Sequence, residues 1–333
     1  MNIIIPMAGR GSRLRPHTLT IPKPLLPIAG KPIVERLVED LQAMCPEKVE
    51  NIGFIIGDFG KEIEQKLLDM AARQGAKGHI FYQDKPLGTA HAILCARPLL
   101  EGKTVIAFAD TLFDADFKFD AAQEACIITQ KVEDPSAYGV VQLDNEGYIS
   151  GFVEKPDTFV SDLAIIGIYY IGNAAALERE MQYLLDNDIR DKGEYQLTNA
   201  LDNLRQKGTR FSVGTVKEWL DCGNKDACVY TNQRVLHLRQ ARFASTTEKA
   251  KGENFLILPP CFIGKGVELK DCIVGPYASI GDNTKIQHSI VKNSIIQENA
   301  SISGKIITNS MIGSHAHLKA KPDEYSLGDY SQI

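Results

Sequence analysis

The residues best suited to chemistry lie at the start of the chain. Arg10, Arg13, Arg15, Lys23 and Lys31 fall within the first thirty-four residues, and no Asp or Glu precedes Glu35. The chain as a whole is acidic, at formal net charge -5, so this basic excess is local. Ile3, Ile4 and Ile5 read as a short buried strand that runs into Ala8-Gly9-Arg10-Gly11-Ser12-Arg13. A glycine-rich turn leaving a strand lets backbone N–H groups surround an anion. Arginine adds forked donors matched to phosphate oxygens. The spacing is neither the dinucleotide fingerprint nor the Lys-Ser/Thr phosphate loop, since no Gly-Lys-Ser/Thr occurs. Beyond it, Pro22, Pro24 and Pro27 hold Lys23 on a stiff, extended backbone. Turn and lysine together read as a polyphosphate site.

The elements that must position these groups alternate over about the first 235 residues. A helix is expected over Ile33–Met44, with Val34, Leu37, Val38 and Leu41 on one face, followed by a strand over Asn51–Ile56. Gly60–Gln74 and Gly88–Arg97 read as helices, His79–Gln83 and Thr104–Ala109 as strands, the last ending in Asp110. This order predicts an α/β, Rossmann-like three-layer domain with a mostly parallel sheet. Ligands gather beyond the carboxyl ends of such strands, so the Ala8–Arg13 turn and Asp110 should face one cleft.

The last third repeats. Aliphatic residues form three series with a sixteen-residue period: Val274, Ile290, Ile306; Ile280, Ile296, Ile312; and Ile286, Ile302, Leu318. The spacing within a repeat is six, six, four, and small residues such as Ala278, Thr284, Ala300 and Ala316 follow. This predicts a left-handed parallel β-helix of hexapeptide repeats, one aliphatic residue per corner pointing inward. Ile263 and Leu269 fit a shorter first coil, and Tyr325–Ile333 a degenerate last one. The expected boundaries are a catalytic domain at 1–236, a linker at 237–254 and the β-helix at 255–333.

The motifs of the first domain resemble the sugar-1-phosphate nucleotidylyltransferases, and within them the glucose-1-phosphate thymidylyltransferases. The resemblance rests on Gly9-Arg10-Gly11-Ser12-Arg13 with Lys23, then Gln83-Asp84-Lys85-Pro86-Leu87-Gly88-Thr89-Ala90-His91-Ala92, then Ala109-Asp110. Tyr138-Gly139-Val140-Val141, Glu154-Lys155-Pro156, Gly167-Ile168-Tyr169 and Trp219-Leu220-Asp221-Cys222-Gly223 follow in family order. Pro6-Met7-Ala8 stands where the family usually has Leu-Ala-Gly, a departure in the loop that helps hold the base. The resemblance implies in-line attack of a sugar-1-phosphate oxygen on the α-phosphorus of a nucleoside triphosphate, with pyrophosphate leaving. Ala8, Gly9, Gly11, Ser12 and Arg13 would wrap the triphosphate, with Gln83, Gly88 and Thr89 at the base. Arg13, Lys23 and Lys155 would be catalytic, and Gly139, Glu154, Lys155, Gly167 and Glu194 would bind the sugar phosphate. Asp110 and Asp221 would hold Mg²⁺.

Each residue has a plainer alternative. Asp110 could cap a turn, Asp221 could cap a helix beginning near Lys225, and Lys155 could be a solvated surface lysine. Trp219 reads as core. His17, His79, His91 and His237 lack metal-ligand spacing and read as structural. The favoured substrates are dTTP and glucose-1-phosphate. GTP with mannose-1-phosphate, UTP with glucose-1-phosphate, a non-catalytic sensing subunit and an added acyltransferase activity in the β-helix are the alternatives. Seven cysteines without a C-x-x-C pair argue against a disulfide framework or structural zinc and fit a cytoplasmic chain. No signal peptide or membrane span is expected. An acidic chain without an extended basic face disfavours nucleic acid. The β-helix is expected to mediate self-association, as in a homo-oligomer, or to pack on the catalytic domain.

Overall fold

The computed structural model describes every residue except 10, 245, 247–249, 322–325, 327–328 and 331–333. Arg10, part of the expected linker and most of the expected final coil therefore lie outside the described residues. The chain divides into two compact units, Met1–Leu26 with Lys31–Gly223, and Pro27–Gly30 with Asn224–Ile333.

The first unit is built on a nine-stranded sheet. Strand β1 (Asn2–Pro6) is central; the short strands β2 (Pro27–Ile28), which groups with the second unit, and β3 (Lys31–Pro32) pair apart from this sheet. The remaining sheet strands are β4 (Asn51–Ile56), β5 (Lys77–Tyr82), β6 (Thr104–Ala107), β8 (Ala125–Lys131), β9 (Gly139–Leu143), β10 (Ile149–Glu154), β11 (Leu163–Ile171) and β12 (Phe211–Thr215). Strands β7 (Thr111–Asp114) and β13 (Glu218–Asp221) form a separate antiparallel pair. Strands β1, β4, β5 and β6 are parallel; β11 runs against β6, β8 and β9; β12 follows β8, and β10 opposes β9. Only β10 and β11 thus oppose the rest, so the sheet is mostly parallel.

Helix α1 (Ile33–Met44) buries Val34, Leu37, Val38 and Leu41 completely and stops before Pro46, which cannot continue it. Helix α2 (Lys61–Arg73) buries Leu67, Met70 and Ala71. Helices α3 (Thr89–Leu94), α4 (Ala174–Asp186) and α5 (Leu197–Gln206) share one core with Ile4, Ile55 and Ile106. Helix α3 is shorter than its apolar pattern suggests, because the chain turns into a 3₁₀ segment at Arg97–Leu99 around Pro98.

The second unit contains α6 (Lys225–Leu238) and α7 (Gln240–Phe243), then a stack of short parallel strands. Compact-unit division thus falls at Gly223, and α6 groups with the C-terminal part. Lys251–Ile257, which crosses the expected boundary between linker and β-helix, is a strand paired with Glu268–Val274. Ile280 pairs with Ile296 and Ile296 with Ile312; Ile286 pairs with Ile302 and Ile302 with Leu318. Those two series run as the sequence suggests. The third does not. Val274 pairs with Val291 and Val291 with Ile307, while Ile290 and Ile306 are 37% and 78% exposed. The inward positions are spaced six, five, five rather than six, six, four. A strand's side chains alternate between faces, so a one-residue error moves an aliphatic from core to surface. Outward Ile290 and Ile306 disguise the true series Val274, Val291, Ile307.

Charging an inward position should therefore unfold this unit. Val291→Asp, at a fully buried site, is expected to cost about 3 kcal/mol or more in denaturant unfolding. Ile306→Asp should stay within about 0.5 kcal/mol of the parent. The opposite ranking would restore the six, six, four register.

Candidate functional site

A cavity of about 680 Å³ opens in the first unit, between the loop after β1 and the loop after β5. Ala8, Gly9, Gly11, Ser12, Arg13, Lys23, Gln83, Gly88, Thr89, Asp110 and Glu194 all line it, drawn from segments spread over nearly two hundred residues. Gly139, Glu154, Lys155, Gly167 and Asp221 do not line it.

The floor is built by packing. Gly11 adopts a left-handed φ of 75° ahead of a 3₁₀ turn at Ser12–Leu14, and a Cβ there would lie 2.6 Å from the Lys23 Cβ. Only glycine serves both demands. Its carbonyl accepts from Thr18 Oγ1 at 2.8 Å, which ties the loop back on itself. Lys23 is not extended as the prolines suggest. It opens a second 3₁₀ turn, Lys23–Leu25, with Pro24 in the first turn where its missing N–H costs no bond. Lys23 is 7% exposed, and its Nζ donates to Asp110 Oδ2 at 3.1 Å. That contact gives the Asp110 carboxylate a role beyond capping a turn.

Asp221 comes alongside through the antiparallel pair. The register sets Asp221 opposite Thr111, and the Cys222 N–H donates to the Asp110 carbonyl at 3.1 Å. The Asp221 carboxylate lies against Gly223, where a Cβ would come within 2.8 Å of Oδ2, and Gly223 lines the cavity. Asp221 does not cap the following helix. That is done by Asn224, whose side chain accepts from the Ala227 N–H at 3.0 Å. Among the described residues no group of three or more His, Cys, Asp or Glu converges as a complete protein cage for a metal. Asp221 at the end of β13 and Asp110 just before its partner strand β7 instead suit a hard ion such as Mg²⁺, which takes one or two carboxylates and fills its shell from phosphate and water.

Gly139, Glu154 and Lys155 form a second cluster. The β9–β10 register puts Gly139 opposite Glu154, and the Lys155 N–H donates to the Tyr138 carbonyl at 3.0 Å. Glu154 Oε2 accepts from Thr198 Oγ1 at 3.2 Å, and Lys155 Nζ lies 3.7 Å from Glu154 Oε1. Burial raises the Glu154 pKa, with Lys155 and the Thr198 hydrogen bond opposing it. Lys155 has φ 40° and a half-exposed side chain, a strained placement uncommon for an ordinary surface lysine. Gly167 sits at an irregularity of β11, and its carbonyl accepts from the Phe108 N–H at 3.0 Å.

Some lining residues were not singled out as site residues. Phe108, Pro86 and Pro24 line the cavity, with Pro6 and Met7 from the departing loop. Tyr138 packs edge-on against Trp219 with ring centroids 5.1 Å apart, and its hydroxyl feels both Asp221 and Arg13. The Trp219 indole N–H is buried without a partner among the described residues. Thr89 is committed elsewhere: its hydroxyl donates to Gln196 Oε1 at 3.2 Å and accepts from the Leu197 N–H at 2.8 Å. Tyr138 could have been found from its place beside Gly139 in the quoted motif; Phe108 only from the fold.

Comparison with known proteins then decides the family. Residues 2–237 match the nucleotidyl transferase family. The chain belongs to it. A glucose-1-phosphate thymidylyltransferase of Streptomyces antibioticus is 30% identical over 318 residues, covering 89% of this chain and 87% of that protein. A low-salt glycan biosynthesis nucleotidyltransferase of Haloferax volcanii is 31% identical over 321 residues, with the same two coverages of 89% and 87%. A crystal structure of a UDP-glucose pyrophosphorylase complexed with UDP-glucose superposes with TM-score 0.59 at 23% identity. It covers 72% of this chain and 99% of that one, a likeness of fold. Among the described residues of this nucleotidyl transferase, no helix is long and apolar enough to cross a membrane.

The Glu154 shift has a measurable sign. A carboxyl whose folded-state pKa is raised leaves the fold most stable below the unfolded value, and that stability is lost as pH rises through the folded value. Glu154→Gln should therefore melt above the parent at about pH 8, with the gap closing towards about pH 4. Melting at or below the parent's temperature at the higher pH would mean that the buried charge costs the fold nothing.

Proposed function

We propose that this nucleotidyl transferase joins a nucleoside triphosphate to a sugar-1-phosphate, with dTTP and glucose-1-phosphate as the favoured pair. One observation carries the reading: a single cavity is bounded by the Ala8–Arg13 turn, by Lys23 in contact with Asp110, and by Gln83 and Gly88 opposite. The turn would receive the triphosphate, and Arg13 would draw charge from the departing pyrophosphate. Lys23 would meet the α-phosphate, where negative charge builds as the bond to pyrophosphate breaks. Lys155 would grip the sugar phosphate and aim its oxygen at the α-phosphorus, with Gly139, Glu154, Gly167 and Glu194 around the sugar. The new P–O bond forms as the old one breaks, and pyrophosphate carries away the displaced charge. Asp110 and Asp221 would hold Mg²⁺, which when bound neutralises phosphate oxygens. Gln83 and the following Pro86-Leu87-Gly88 resemble thymidylyl and uridylyl enzymes, and the thymidylyltransferase among the relatives supports dTTP.

Pyrophosphate release across a grid of nucleoside triphosphates and sugar-1-phosphates, with Mg²⁺, tests this directly. Release with dTTP and glucose-1-phosphate above all other pairs is expected. Asp110→Asn, which leaves Lys23 an acceptor and so spares the fold, should lower turnover by about 10³-fold. Lys155→Ala should raise KM for the sugar phosphate about tenfold. Silence across the whole grid from folded protein that still binds nucleotide would instead make it a sensing subunit.

A further inference from the structure

Gln83 stands just past the carboxyl end of β5, its backbone N–H donating to the Ile56 carbonyl at 2.9 Å, and it lines the cavity. Its amide has two contacts, and both go to the same atom. Nε2 lies 3.4 Å from the Gly88 carbonyl and 3.3 Å from His91 Nδ1. A carbonyl oxygen can only accept, so the atom beside it is the amide nitrogen. Its two hydrogens are then directed at Gly88 and His91, and the imidazole must accept at Nδ1 with its proton on Nε2. Burial, with Lys85 adding to it, holds the His91 pKa below the usual range, which keeps the ring neutral and able to accept. What remains for a ligand is Gln83 Oε1, an acceptor.

We propose that His91 is a positioning residue for base selection, locking the Gln83 amide so that Oε1 faces the base. The inference rests on the reading of Gln83 as a nucleobase contact. An acceptor at that point pairs with a ring N–H, as in the imide of thymine or uracil or the lactam of guanine. It opposes the bare ring nitrogen that cytosine and adenine present at the same edge. Turning the amide over would reverse the preference and set Oε1 against the Gly88 carbonyl and the Nδ1 lone pair. Rejection of the wrong base comes from leaving polar groups facing each other unpaired, which discriminates more sharply than shape. His91 read as structural in the sequence because nothing in its spacing shows that it faces Gln83.

Steady-state kinetics of pyrophosphate release with dTTP and with CTP, at fixed glucose-1-phosphate, separate the possibilities. His91→Phe fills the space without an acceptor, and His91→Asn places an amide oxygen close to where Nδ1 lies. The phenylalanine variant should raise KM for dTTP about tenfold with kcat within about twofold, and shrink the dTTP-to-CTP ratio of kcat/KM by a similar factor. KM for glucose-1-phosphate should not move, and His91→Asn should recover most of the discrimination. An unchanged dTTP-to-CTP ratio in His91→Phe overturns the positioning role, as does an equal rise in both KM values. Should the parent enzyme itself fail to prefer dTTP over CTP, the reading of Gln83 as base contact falls first, and the role of His91 with it.

Discussion

The contact between Lys23 and Asp110 is the constraint on which the rest of the site depends. A nearly buried ammonium is unfavourable without a partner, and here its partner is a carboxylate at the end of the sheet. Lys23 reaches it because Gly11 offers no side chain, because Thr18 fastens the Gly11 carbonyl, and because prolines fix the lysine's own turn. Cationic loop and acidic strand end are thereby held at one wall of one cavity. In a chain of net charge -5 this local basic excess is what attracts a triphosphate to the cavity.

The second carboxylate arrives by topology. Asp221 follows Asp110 by more than a hundred residues, and only the antiparallel β7–β13 pair sets the two chain segments side by side. Among the described residues, no cysteine lines the cavity. All seven cysteines are free thiols, and burial pushes Cys45 up to about 12 and Cys261 up to about 11. Both lie apart from the residues that line the cavity. Charge placement and alignment are what this arrangement can supply, and they suffice for joining two phosphates.

Much of this was legible in the sequence where local physics dominates. Ile33–Met44 could be bounded to the residue, because its apolar face is clean and Pro46 limits the end. The turn around Gly11 announced itself by its glycines and arginines. Two of the three β-helix series were readable because their six- and sixteen-residue steps coincide with the true register. The third failed at Ile290, where an aliphatic residue faces outward and the buried one is its neighbour Val291. Periodicity cannot distinguish two adjacent aliphatics; pairing partners can. The Lys23 backbone was misjudged because three prolines restrict φ in both an extended chain and a 3₁₀ turn. Phe108 and the face that His91 turns to Gln83 depend on contacts between separate segments, so no window of sequence contains them. Glu154 and Lys155 were named by motif, but the pairing that sets Glu154 opposite Gly139 is a property of the β9–β10 register.

If the site works by alignment alone, the stereochemistry at phosphorus records it. The direct measurement is turnover of a nucleoside triphosphate carrying a chiral sulfur at the α-phosphorus, followed by assignment of the configuration in the nucleotide sugar. A single in-line displacement inverts the centre, and inversion is the expected result. Retention would require two displacements and a nucleotidylated side chain, and would contradict a mechanism built on Lys23, Asp110 and their neighbours as positioning charges.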